Sequence, residues 1–194
     1  MKNRIVVLSL FITLLASFDA TAKVSSNKKI TVGWLESVFI PSIDSKLRAK
    51  LDTGAKTSSI DAEIIDVKNS DGDDDKYGKI IFTVEDMDGN KKTLERKIVR
   101  WAKIKKKGST SGYIRRPVVM MKYCIAGKLI TDEVNLSNRE HFNYPVLIGR
   151  NMLTEAGLMI DTSKTFTKKP NCDKEQDEDP EVSKKSKQQS ESKN

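Results

Sequence analysis

Histidine and cysteine are nearly missing from this 194-residue chain, which has one of the first and two of the second. One histidine excludes a three-histidine catalytic metal site. Two cysteines exclude both a disulfide-built scaffold and a four-cysteine zinc site. Neither HExxH nor GxxxxGK[ST] occurs, so the common zinc-protease and phosphate-loop signatures are absent from the sequence. Asp71-Gly72-Asp73-Asp74-Asp75 starts like a calcium loop. Lys76 then stands where the glycine belongs and Phe82 where the closing glutamate belongs, so the EF-hand pattern fails. His141 beside Glu140 reads as a surface residue. The longest apolar run, residues 5–18, is too short to span a bilayer comfortably.

That run follows Lys2 and Arg4 and precedes Ala20-Thr21-Ala22, which predicts an export signal over residues 1–22, cleaved after Ala22. A periplasmic or secreted location is the expectation, with no stable membrane span after cleavage. Residues 168–194 hold no aromatics and seven side chains of each charge, so they predict a disordered polar tail. Between the ends lies one domain, residues 23–167. It carries about +7 of the formal +8, which favours an anionic partner; no nucleic-acid motif is present. In an oxidising compartment Cys124 and Cys172 could pair, or Cys124 could remain a buried thiol.

Within the domain the apolar pattern has period two, which predicts strands. These fall at residues 30–32 (broken by Gly33), 38–40, 47–51, 59–67 with a bend near Glu63, and 79–85. Asp88-Gly89-Asn90 turns the chain into a long ribbon over 93–104. Strands at 118–125, 128–136, 145–148 and 158–161 follow, with one helix at 151–156 stopped by Gly157. The expected core is Leu47, Leu51, Ile60, Ile80, Phe82, Val84, Val119, Met121, Val134, Leu136, Leu147, Ile148, Leu153 and Ile160.

Chemistry concentrates in Leu51-Asp52-Thr53-Gly54-Ala55. A carboxylate follows directly on a strand, a glycine permits close backbone approach, and a threonine hydroxyl can brace the turn. Tyr144-Pro145-Val146-Leu147-Ile148-Gly149-Arg150 is the second informative segment. Together they resemble the retropepsin-like aspartic proteases. Further stretches resemble the bacterial branch labelled ATP-dependent zinc proteases: Val32-Gly33-Trp34-Leu35-Glu36, Lys56-Thr57-Ser58-Ser59, Arg116-Pro117-Val118-Val119, and Val134-Asn135-Leu136-Ser137-Asn138-Arg139.

The resemblance implies an all-β, retropepsin-like closed barrel with one short C-terminal helix. It implies catalysis by Asp52, Thr53 and Gly54, supported by Ala55, Ile148, Gly149 and Arg150. It also implies a flap at Gly108, Ser109, Thr110, Ser111 and Gly112, whose basic surroundings favour acidic peptides. No metal or cofactor is expected. Because Asp-Thr-Gly occurs once, two chains would pair as a homodimer to supply two carboxylates. The alternatives are a non-catalytic peptide- or envelope-binding module on the same scaffold, or a metal-dependent hydrolase. Two departures stand out. Asp61 occupies a position where that branch usually has histidine, and Lys56 replaces the acidic residue that pairs with the later arginine in viral enzymes. Arg150 then needs Asp161 or a backbone carbonyl.

Overall fold

Strand β2 (Ser45–Leu51) alternates exposed Lys46, Arg48 and Lys50 with buried Leu47, Ala49 and Leu51, the signature of a sheet wetted on one face. The computed structural model describes residues 29–68, 77–105 and 112–172. The remaining strands are β1 (Ile30–Ile40), β3 (Ser58–Asp61), β4 (Glu63–Lys68), β5 (Lys79–Glu85), β6 (Lys91–Lys97), β7 (Arg100–Lys105), β8 (Tyr113–Ile125), β9 (Lys128–Ser137), β10 (Val146–Ile148) and β11 (Leu158–Thr165). Among the described residues, helical structure is limited to α1 (Arg150–Glu155) and a 3-10 turn at Pro41–Ile43. None of it is long and apolar enough to cross a membrane.

The expected closed barrel is corrected. Eight strands form one mixed sheet in the order β11-β1-β2-β10-β3-β9-β8-β7. β1 also meets β8, through Val38 opposite Ile125 and Phe39 opposite Cys124. Six strands therefore run as a ring with a seam two residue pairs long, and β11 and β7 lie outside it as edges. β4, β5 and β6 form a separate three-stranded sheet. Three pairings are parallel: β1 with β11, β2 with β10, and β3 with β9. The runs read as single strands divide between the sheets. β3 passes to β4 through Ala62, and β6 passes to β7 through Ile98 and Val99. Alternation shows which face of a strand is buried, not which strand lies beside it.

Of the expected core, Leu147 and Ile160 are only half buried, and the other twelve residues are buried. Nor does Gly33 break β1. The strand runs through it with a register shift against β11. A Cβ at Gly33 would stand 2.3 Å from the Lys164 carbonyl oxygen, so only glycine allows this approach. Three residues on, Glu36 is 1% exposed. Its carboxylate accepts from Gly33 N (2.7 Å), Thr167 N (2.9 Å), Thr167 Oγ1 (2.6 Å) and Lys168 N (3.3 Å). Those bonds compensate its burial and pin the segment after β11 against β1. Cys172, further along that segment, is disulfide-bonded to Cys124. The expected export signal at 1–22 and the acidic loop at 69–75 lie outside the described residues, as does the polar tail expected over 168–194 apart from residues 168–172.

Candidate active site

At the end of β2, Asp52 donates its N–H to the Ile148 carbonyl (2.9 Å), so the carboxylate leaves from a strand already anchored to β10. The chain then turns tightly. Asp52 Oδ1 accepts from Gly54 N at 2.9 Å, and the Asp52 carbonyl accepts from Ala55 N at 3.2 Å. Oδ2 lies 3.5 Å from Lys50 Nζ, and the Asp52 side chain is 28% exposed. An acceptor bonded within its own turn has little freedom to swing, while its second oxygen still faces solvent.

Arg150 fixes the far side of this loop. Its Nη1 donates to the Thr53 carbonyl (2.8 Å) and the Gly54 carbonyl (3.1 Å), so the partner is backbone. Asp161 instead engages Lys164 and Ser163, and these hold its carboxyl well below the ordinary range. The first turn of α1 leaves its N–H groups without helical acceptors. Here Arg150 N donates to Ala55 O (2.9 Å) and Asn151 N to Lys56 O (3.1 Å). The catalytic-type loop and the helix start thus satisfy each other. Thr53 contributes its carbonyl to this arrangement; its side chain is exposed, and its hydroxyl makes no hydrogen bond among the described residues.

Gly149 sits between them. A Cβ there would lie 2.6 Å from Thr57 C and 2.8 Å from Lys56 O. Its N–H donates to Ser58 Oγ at 3.1 Å, and that hydroxyl, wholly buried, reaches Met152 Sδ at 3.9 Å. Gly149→Ala must therefore push the 55–57 loop away. The expected cost is about 1–3 kcal/mol, read by urea unfolding.

Arg139, Asp61 and Ser59 received no role from the sequence, although the stretch ending in Arg139 was one of those shared. Arg139 is 6% exposed. Its N–H donates to Asp61 Oδ1 (2.6 Å), its Nη1 to Ser59 Oγ (3.0 Å) and its Nε to the Tyr144 carbonyl (3.3 Å). The guanidinium lies 4.5 Å over the Phe142 ring. Burial pulls its pKa below the ordinary value. Asp61 opposes that, Arg116 adds to it, and Asp52 opposes it. Asp61 therefore anchors the loop that follows β9.

Of the flap residues, Gly108, Ser109, Thr110 and Ser111 lie outside the described residues. Gly112 directly precedes β8, which pairs with β7 from Arg100 opposite Val118 to Lys105 opposite Tyr113. Arg115 stacks over Trp101 at 5.3 Å. A separate cleft of about 590 Å³ opens between the two sheets, lined by Asp61, Glu63, Glu85, Lys91 and Glu140 among others, and does not include Asp52. Among the described residues no three His, Cys, Asp or Glu side chains are grouped to hold a metal ion.

A strand-end Asp-Thr-Gly loop, locked by an arginine at a helix start, defines the class as retropepsin-like. A family model described as RimB-like, retropepsin-like aspartic endopeptidase RimB, matches residues 31–171. The chain belongs to that family. Among solved structures, the protein Lpg0085 of Legionella pneumophila subsp. pneumophila strain Philadelphia 1, described as of unknown function, is 31% identical. The match covers 72% of this chain and 98% of that one, at a TM-score of 0.57. No curated protein matches.

Proposed function

We propose that the chain is an exported aspartic-type endopeptidase that acts as a homodimer, with Asp52 of each copy meeting across the two-fold axis. One observation carries this reading. Asp52 is held rigidly in its turn by Gly54, and that loop is clamped by Arg150, yet its charged contact within its own chain is the cation Lys50. Water activation by carboxylates needs a second acidic group close by. Like charges at short range cannot both ionise cheaply, so the pair shares one proton. The ionised member takes a proton from water as it attacks the peptide carbonyl, and the protonated member donates to the carbonyl oxygen. The step uses no metal, cofactor or covalent intermediate. Thr53, Gly54 and Ala55 set the backbone of the loop, while Ile148, Gly149 and Arg150 hold it from beneath.

The basic residues of β7 and β8 favour acidic peptides. The leader at 1–22 and the Cys124–Cys172 bond both suit an oxidising envelope compartment. The Lys50–Asp52 ion pair favours the second reading, a non-catalytic peptide- or envelope-binding module. Dilution separates the two. A dimeric enzyme loses cleavage per mole as its concentration falls below the dissociation constant measured by sedimentation. Constant specific activity in a strictly monomeric sample overturns the shared site, and absence of cleavage by the dimer leaves the binding module.

A further inference from the structure

The cations around Asp52 differ in how far they are committed. Arg150 Nη1 donates to the Thr53 and Gly54 carbonyls. Arg139, within electrostatic reach of Asp52, is buried and donates to Ser59 Oγ and the Tyr144 carbonyl. Lys50 is different. Its Nζ lies 3.5 Å from Asp52 Oδ2, and among the described residues this ammonium has no other acidic partner and no hydrogen-bond acceptor. Its three N–H donors stand beside one particular oxygen.

That oxygen is the one presented outward. Oδ1 is held by Gly54 N at 2.9 Å, which leaves Oδ2 toward solvent with Lys50 on the same side. Lys50 is on the wetted face of β2, where its in-register neighbours are Leu35 of β1 and Leu147 of β10. Their apolar surface suits the lysine stem, while the charged end stays in water, with the side chain 46% exposed.

The charges of a two-fold site do not balance without substrate. Two carboxylates that share one proton carry one negative charge, and the two copies of Lys50 bring two positive charges. The surplus matches the negative charge that develops on a peptide carbonyl oxygen under attack.

We propose that Lys50 is a catalytic residue of the Asp52 site, whose ammonium steadies the carbonyl oxygen in the transition state. The role rests on the peptidase reading. As the water oxygen bonds to the carbonyl carbon, its proton passes to the ionised Asp52. The carbonyl electron pair moves onto oxygen, which takes its proton from the other Asp52. Lys50 Nζ donates a hydrogen bond to that oxygen while the charge builds, and keeps its own protons.

The probe is an octapeptide of alternating Ala and Glu, in the full-length enzyme. Lys50→Met lowers kcat about a hundredfold, the worth of one oxyanion donor, with KM little changed, and Lys50→Arg restores part of the loss. The fold survives, because a solvent-facing ion pair is worth little, and the urea midpoint verifies this. Loss of kcat alone does not separate contact with the substrate from a disturbed Asp52, so two analogues of the octapeptide are also titrated. One carries a phosphinate in place of the central amide, the other a neutral hydroxyethylene. Lys50→Met weakens the phosphinate about tenfold and leaves the hydroxyethylene unchanged. Lys46→Met, which removes the same charge from the same face of β2, alters neither.

Cleavage by Lys50→Met at a kcat close to wild type overturns the lysine's role and leaves the peptidase reading intact. Equal losses for the two analogues, or equal losses in Lys46→Met and Lys50→Met, also overturn it. A wild type that cleaves no peptide removes the peptidase reading and the lysine's role with it.

Discussion

Asp52→Asn abolishes peptide cleavage, with kcat/KM falling at least about a thousandfold, while the unfolding midpoint hardly moves. Both halves of that result follow from the turn. The asparagine Oδ1 still accepts from Gly54 N, and the carboxylate's ion pair among the described residues is a solvent-facing one with Lys50, a kind worth little. The loop keeps its shape and loses only its titrating group. Because the proposed site is built from two chains, a mixture makes the test sharper. When wild-type and Asp52→Asn subunits pair at random in equal amounts, about a quarter of the dimers carry two carboxylates, and activity falls to about that fraction. A fall to one half means that each chain works alone.

Removing the disulfide has the largest expected effect on stability. Cys124 and Cys172 are 48 residues apart in sequence, and closing a loop of that length lowers the entropy of the unfolded chain by a free-energy equivalent of about 4 kcal/mol. Its position adds to its importance. Cys124 faces Phe39 at the short seam where β8 meets β1, and the segment that ends in Cys172 is bonded to β1 through the Leu35 carbonyl and the Glu36 carboxylate. The bond therefore clasps both sides of the seam. Cys172→Ala is expected to lower the unfolding free energy by about 2–4 kcal/mol in urea melts. Reductant should do the same to the wild type and nothing further to the variant. A loss below about 1 kcal/mol would show that the Glu36 contacts hold this segment without help.

Local chemistry was readable wherever a residue's duty is set by its neighbours in sequence. Gly157, at φ 65°, ends the short helix as expected. Asp52 terminates a strand and is bonded within its own turn. Arg150 was expected to need a substitute partner, and backbone carbonyls were one of the two candidates. Long-range pairing was not readable. Residues 93–104 read as one long ribbon with no turn signal inside it, yet Ile98 and Val99 carry the chain from one sheet to another. Ser59, Asp61, Ser137 and Arg139 look like ordinary polar loop and strand residues. They meet only because β3 runs parallel to β9, and parallel neighbours leave no mark in a local pattern.

The sequence by itself determined the strand-rich class, most of the buried face, the Asp-Thr-Gly turn and the family, because alternation, turn chemistry and short motifs act over a few residues. Tertiary structure alone decided that the sheet is mixed and only ring-like, that Glu36 and the Cys124–Cys172 bond clasp its seam, and that Arg139 bonds Ser59 and Asp61. Each of those outcomes depends on which distant segments come together, and that is settled by packing the whole chain rather than by any stretch of it.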